Sequence, residues 1–264
     1  MLSIKDLFQK DLFLLDGDGT LYVGSKPTPK AGAFLKLLEG KGKRYMIITN
    51  NSSYSTTQHA KRISKILKHK VRKSQVIVST SVAVNYLLRK GVSSVYALGV
   101  PAFKQELKLK GIKLKYRNPE LVLVGFDKTL TYRKLTLATR LIMSGIPYIA
   151  THPDILCPVA NGYIPDIGAI LAFLEAATGK KPEAIVGKPN RLMIDYALEV
   201  AKTSIDRTVL FGDRLYTDIK MANEVGMDSV LVLTGETKTL DMHSQYRPSL
   251  IINSFEDILK VMES

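Results

Sequence analysis

At 264 residues and 29.3 kDa, the chain is longer than a common single domain but would make only two small ones, so one domain with an insertion or two close-packed domains is expected. A hydrophobic fraction of 45% with 23% charged residues argues against disorder, and the lone Cys157 excludes an intramolecular disulfide and a multi-cysteine metal site and fits a reducing, cytoplasmic setting. Thirty-eight Lys and Arg against 24 Asp and Glu leave a formal charge of +14, enough to draw phosphorylated molecules toward the surface.

The first residues interrupt their apolar side chains with Lys5, Asp6, Lys10 and Asp11, so a signal peptide is not expected. The longest apolar stretch, Ile167 to Leu174, falls far short of the roughly 18 residues needed to cross a bilayer, so no membrane partner is expected. Leu12 to Leu15 is a continuous apolar run, the pattern of a central strand covered on both faces, and it ends in Asp16-Gly17-Asp18-Gly19-Thr20. Tyr45 to Ile48 is a second strand ending in Thr49-Asn50-Asn51-Ser52. A helix over 56–69 follows.

Seven basic residues lie between Lys61 and Lys73 with no acid among them. They could form a nucleic-acid or anionic-membrane patch, but Ile63, Ile66, Leu67 and Val71 recur at helical spacing. No aromatic residue interleaves the charges, so a solvated helix face is the preferred reading and nucleic acid is not the expected partner.

Strands at 76–78, 94–98, 121–125 and 147–150 alternate with helices at 81–90, 101–110, 131–144 and 166–177. Ala184 to Val186 then leads into Gly187-Lys188-Pro189, and Thr208 to Phe211 into Gly212-Asp213. Strands at 229–233 and 249–252 and a helix at 255–262 close the chain. This alternation predicts an α/β fold with a mostly parallel sheet. The polar clusters at 16–20, 49–52, 187–189 and 212–218 each follow an apolar run at its carboxyl end, where open parallel sheets bind ligands. If the four strands share one sheet, the clusters converge on one crevice.

Asp16 and Asp18 sit two apart at a strand end, a spacing that can aim both carboxylates to one face. Their repulsion, about 4 kcal/mol at ~4 Å with an effective dielectric of ~20, calls for a counter-cation, and hard oxygen donors with room for water and phosphate favour Mg²⁺. Taken alone, the pair reads equally well as an ordinary Asp-Gly turn. Thr49 and the amides after it can hold phosphate oxygens at the end of the neighbouring strand. A helix N-cap is the plainer role for Thr49, and Ser55 is better placed for it.

The segment Leu14-Leu15-Asp16-Gly17-Asp18-Gly19-Thr20-Leu21 resembles the first signature of the haloacid dehalogenase (HAD) superfamily of phosphatases. Ile48-Thr49-Asn50-Asn51 resembles the second signature, Gly187-Lys188-Pro189 the third, and Gly212-Asp213-Arg214-Leu215-Tyr216-Thr217-Asp218 the fourth. The double Asn after Thr49, with Gly125-Phe126-Asp127 and Ala150-Thr151-His152-Pro153-Asp154, is similar to the NagD-type, or 4-nitrophenylphosphatase-like, branch. The resemblance implies a Rossmann-like core at 1–78 and 182–264 and an inserted α/β cap of the C2 type at 79–181 that sets leaving-group preference.

It also implies that Asp16 is the nucleophile, forming an aspartyl phosphate, and Asp18 the general acid and base. Asp16, the Asp18 carbonyl and Asp213 would bind Mg²⁺, with Asp218 orienting from behind or simply complementing a helix dipole. Thr49, Asn50, Asn51 and Lys188 would hold the phosphoryl group, although a lone loop lysine is by itself usually just solvated.

Gly17 departs from the family, which has a bulkier residue there, and is expected to loosen the backbone beside the nucleophile. Among His59, His69, His152 and His243 no metal-ligand pairing is visible. His152 and Asp154, with Phe126 and Asp127, follow cap strands and would face substrate, or else are ordinary turn residues.

The expected activity is Mg²⁺-dependent hydrolysis of small phosphomonoesters, the esters of nitrophenol, nucleosides, sugars, glycolate or pyridoxal among them. Phosphotransfer through the same intermediate is the second enzymatic reading. A non-catalytic phosphate-ligand or nucleic-acid-binding protein is the non-enzymatic one. A homodimer through cap or core is compatible with the resemblance. Neither an ATP-binding loop nor a dinucleotide fingerprint is present.

Overall fold

The computed structural model describes residues 2–159, 162–239 and 244–263, so His243 lies outside the described residues. In chain order the elements begin α1 (Ile4–Leu7), β1 (Leu12–Asp16), β2 (Tyr22–Val23), β3 (Lys26–Pro27), α2 (Ala31–Gly40), β4 (Arg44–Thr49), α3 (Thr56–Leu67) and β5 (Val76–Val78). They continue with α4 (Ser79–Arg89), β6 (Ser94–Leu98), α5 (Pro101–Leu109), β7 (Lys113–Leu114), β8 (Leu121–Val124), α6 (Tyr132–Met143), β9 (Tyr148–Ala150), β10 (Leu156–Val159), β11 (Gly162–Pro165), α7 (Ile167–Thr178) and β12 (Ala184–Ile185). Last come α8 (Leu192–Ala201), β13 (Thr208–Gly212), a π-helical turn at Leu215–Ile219, α9 (Lys220–Val225), β14 (Asp228–Val232), β15 (Leu250–Ile252) and α10 (Phe255–Glu263).

The chain divides into two compact units, one of Met1–Thr49, Thr56–Ile77 and Met193–Ser264, the other of Asn50–Ser55 and Val78–Leu192. The first holds a six-stranded sheet in the order β15-β14-β13-β1-β4-β5. Every residue of β1 is buried, as its uninterrupted apolar run requires. β1 pairs in parallel with β13 on one side and β4 on the other, so successive strands leave it in opposite directions. That reversal opens a crevice at the carboxyl end of β1. Beneath it Phe13, Phe34, Phe211 and Phe255 form an aromatic cluster, with Phe34 stacked on Phe255 at 4.7 Å between centroids.

The basic run forms α3 as its periodicity demands: His59, Ala60, Ile63 and Leu67 are buried, and Lys61, Lys65 and Lys68 stay in solvent. Arg62 is the exception. Its guanidinium lies 4.8 Å over the Tyr22 ring and donates to the Gly24 carbonyl at 2.6 Å, so part of the charge is spent on the β2–β3 hairpin.

The second unit has a five-stranded sheet ordered β12-β9-β8-β6-β7 and a separate β10–β11 hairpin. Its core joins Tyr96, Leu98, Val122, Val124, Phe126 and Tyr148 to the buried faces of α6 and α7. Asp166 caps α7 by accepting the Ile167 amide at 2.7 Å, and Gly179 ends it in a left-handed conformation.

The boundary expected at 78/79 falls one residue from the division at Val78, whereas residues 50–55 and 182–192 group with the second unit. More consequentially, Ala184–Ile185 is not a strand of the six-stranded sheet. It pairs in parallel with Ile149 and Ala150 of β9, and the Val186 amide donates to the Ala150 carbonyl at 3.0 Å. Two apolar residues carry no information about which sheet edge they extend, and the open edge of β9, whose carbonyls accept from Glu183 and Val186, claimed them. Helices α2 and α8 and both hairpins are additional to the expected elements.

Candidate active site

The clusters at 16–20 and 212–218 follow strands of the first unit, and Thr49, the first residue of a third cluster, ends another. The pairing of Leu15 with Phe211 sets Asp16 level with Gly212, so Asp213 emerges beside it, and the pairing of Asp16 with Ile48 places Thr49 at the next level on β4. Asp16, Thr49, Asp213 and Asp218 are all buried. One carboxylate oxygen from each of Asp16, Asp213 and Asp218 lies within 4.8 Å of the others.

Glycines make this approach possible. Gly19 has φ +95°, and a side chain there would run into the Asp213 carboxylate, as would one at Gly235. A side chain at Gly212 would meet Asp218 instead. The Asp213 carboxylate accepts the Glu236 amide at 2.7 Å, and the Thr234 hydroxyl donates to the Gly19 carbonyl at 2.7 Å, tying the loop after β14 to the loop after β1. Asp218 is carried in by the π-helical turn and accepts from the Thr217 hydroxyl at 3.3 Å.

Three ionised carboxylates at such separations repel by roughly 3–4 kcal/mol per pair at an effective dielectric of ~20. A buried, all-oxygen donor set of this kind fits a hard divalent cation. The Asp218 carboxylate thus lies as near to Asp16 and Asp213 as they do to each other, whereas the half-buried Asp18 side chain is not in this group.

Arg214 is a site residue to which the sequence reading gave no role. Burial works against its charge, but Asp16 and Asp213, together with Tyr216 and Glu236, more than offset this and hold the guanidinium above its ordinary range. Its Nε lies 2.9 Å from a Glu236 carboxylate oxygen, and Tyr216 donates to the same carboxylate at 2.6 Å. The available signal was a cation set between two acids in the fourth signature.

Gly17 does not use a backbone conformation reserved for glycine. It provides space. A Cβ at position 17 would sit 2.7 Å from the Tyr22 hydroxyl, and burial pushes that phenol well above its usual range.

The remaining cluster belongs to the second unit. Asn50 grips the backbone of Lys188 from both sides: its Oδ1 accepts the Lys188 amide at 2.8 Å and its Nδ2 donates to the Lys188 carbonyl at 3.0 Å. The same Nδ2 also donates to Asp154 at 3.1 Å. Asn51 closes a local turn by accepting the Ser53 amide and hydroxyl at 3.0 and 2.7 Å. The side chains of both asparagines are thus engaged in shaping loops.

Asp127 is buried, bound to the Thr129 amide and hydroxyl and ion-paired with Lys134 at 2.7 Å, while Phe126 belongs to the apolar core. His152 is 1% exposed, with Asp154 and Asp166 on its two sides. The turn-residue alternative describes Asp127 in this structure.

Residues 13–113 match the model of haloacid dehalogenase-like hydrolases, and 185–258 that of HAD-hydrolase-like proteins. The chain belongs to the haloacid dehalogenase superfamily. It is 30% identical over 246 residues to the 5'-nucleotidase YutF of Bacillus subtilis, covering 93% of this chain and 96% of that one. With the dihydroxyacetone phosphatase of Corynebacterium glutamicum it shares 31% identity over 250 residues, 93% and 90% of the two chains. Among solved structures, the 4-nitrophenylphosphatase of Thermotoga maritima superposes with a TM-score of 0.91 at 36% identity, covering 98% of this chain and 99% of its own. NagD of E. coli gives 0.86 at 30% identity, with coverage of 93% and 96%. Within its superfamily the chain is a NagD-like phosphatase, a hydrolase of phosphoric monoesters.

Proposed function

We propose that the protein is a Mg²⁺-dependent phosphatase of small-molecule phosphomonoesters acting through an aspartyl phosphate on Asp16. The observation that carries this reading is the buried group of Asp16, Asp213 and Asp218 at the carboxyl ends of adjacent parallel strands. Asp16, Asp213 and Asp218 would hold the cation, with the Asp18 carbonyl; when bound, it offsets the carboxylates and the charge of the phosphoryl oxygens.

The Asp16 carboxylate attacks phosphorus, forming the new P–O bond as the ester oxygen departs. Asp18 gives that oxygen its proton. In the second half Asp18 withdraws a proton from water, which attacks phosphorus and returns Asp16 as a carboxylate with release of inorganic phosphate. Thr49 and Lys188 bind phosphoryl oxygens, the lysine supplying positive charge as theirs redistributes. Asn50 and Asn51 shape the loops that present these groups. Asp16 and Asp18 of the first unit make and break the bonds, and the inserted cap at 79–181 selects the leaving group. Relatives named for a nucleotide, a triose and 4-nitrophenyl phosphate support a small ester as substrate.

A panel of nitrophenyl, nucleotide, sugar, triose, glycolate and pyridoxal phosphates, assayed with and without Mg²⁺, tests the reading. Phosphate release should require the metal and vanish in Asp16→Asn. Equal turnover by variant and parent would remove Asp16 as nucleophile, and transfer of phosphate to an added alcohol in place of water would favour phosphotransfer.

A further inference from the structure

His152 is the deeply buried histidine of the second unit to which neither the metal group nor the chemistry above gives a task. It is 1% exposed, and neither ring nitrogen has a hydrogen-bond partner among the described residues. Two acids flank it: Asp154 Oδ2 lies 3.4 Å from Nδ1 and Asp166 Oδ1 3.7 Å from Nε2. An imidazole so placed presents almost no surface to a ligand. It does stand directly between two carboxylates, so the volume of the ring sets how far apart they lie.

Both acids sit on fixed backbone. Asp166 accepts the Ile167 amide at 2.7 Å and is half of a loop closed by its own amide donating to the Ile155 carbonyl at 2.8 Å. The backbone of Asp154 is held by the Gly168 amide at 2.8 Å. The Asp154 oxygen that faces His152 is also the one that accepts from Asn50 Nδ2 at 3.1 Å. From Asn50 the link passes to both backbone groups of Lys188. Gly187 packs against His152; a Cβ there would lie 3.2 Å from the His152 Cβ and would run into the Thr151 carbonyl.

We propose that His152 is a positioning residue for Lys188: clamped between Asp166 and Asp154, it aims the Asp154 carboxylate at Asn50, which fixes the peptide from which the Lys188 side chain rises. This rests on the reading that Lys188 serves the phosphoryl group. The chain of contacts also explains why β12 is docked on β9. The strand pairing delivers Gly187 to His152 and leaves Lys188 at the grip of Asn50.

The test is hydrogen exchange at the Lys188 amide, read by NMR in the full chain, together with steady-state hydrolysis of 4-nitrophenyl phosphate. In His152→Gln and in Asp166→Asn, Lys188 exchange should rise about tenfold while the Val186 amide, held by strand pairing, changes less than about threefold. In the same variants kcat/KM should fall about tenfold, and by less than about twofold when the change is made in an Asn50→Ala background, where the link is already cut.

Equal losses in both backgrounds, or an unchanged Lys188 amide, would overturn the proposal. So would acceleration of Val186 and Lys188 alike, since that is the mark of a packing role. Should His152→Gln not fold, Asp166→Asn decides, because it leaves the ring in place. If the parent hydrolyses no ester, the phosphatase mechanism fails, but the exchange measurement still decides whether His152 holds Lys188.

Discussion

Gly17 and Tyr22 compete for one volume. A methyl group added at position 17 would lie 2.7 Å from the Tyr22 hydroxyl, so Gly17→Ala forces the buried phenol to shift, at a cost of about 1–3 kcal/mol. Urea denaturation should show most of that loss relieved in the Tyr22→Phe background, and an equal loss there would contradict the steric account. The carboxylate group makes a second demand. Binding of a divalent ion to the folded state stabilises it by about 2.7 kcal/mol at a hundredfold excess over its dissociation constant. Saturating Mg²⁺ should therefore raise the melting temperature of the parent and leave Asp213→Asn nearly unmoved, a readout that needs no substrate. At this scale Asp16, Asp213 and Lys188 were recognisable because their spacing is local. Arg214 and Tyr22 were not, because their roles depend on charges and side chains brought to them by other segments.

At the scale of elements, the edge connecting β6 to β8 carries a titratable lock. Glu120 accepts the Ser93 amide at 2.9 Å and the Ser93 and Ser94 hydroxyls at 2.9 and 2.7 Å, and these bonds, the backbone one foremost, pull its carboxyl down to about 2. A carboxyl whose folded value is depressed contributes stability that is present above its unfolded value, about 4.3, and is lost as pH falls through the folded one. The stability difference between parent and Glu120→Gln should thus be constant near neutrality and shrink from about pH 5 downward toward pH 2. Urea midpoints measured across that range check it, and a difference growing as pH falls would reverse the sign. Strands such as Leu12–Asp16 and Leu121–Val124 were legible because continuous burial leaves a continuous apolar run. The two-residue β12 was found as a strand and assigned to the wrong sheet, since pairing partners are not written in so short a segment.

At the scale of the molecule, each unit has its own core. Phe34 is fully buried in the first, within reach of Phe13, Phe211 and Phe255. Phe34→Ala should cost about 3–5 kcal/mol. Hydrogen exchange should quicken across β1, β4 and β13 more than across β6 and β8 if the units open as separate cooperative blocks. Uniform acceleration would show a single cooperative fold instead.

The sequence by itself determined the α/β alternation, the family, and which residue types stand at the strand ends, because these follow from local periodicity and from signatures a few residues long. Packing alone brought Asp218 to Asp16 and Asp213, made Gly17 the space for Tyr22, and set Lys188 in the grip of Asn50. Those outcomes depend on distances between residues as many as 202 positions apart in the chain, from Asp16 to Asp218, and such distances are set by packing, not by any local pattern.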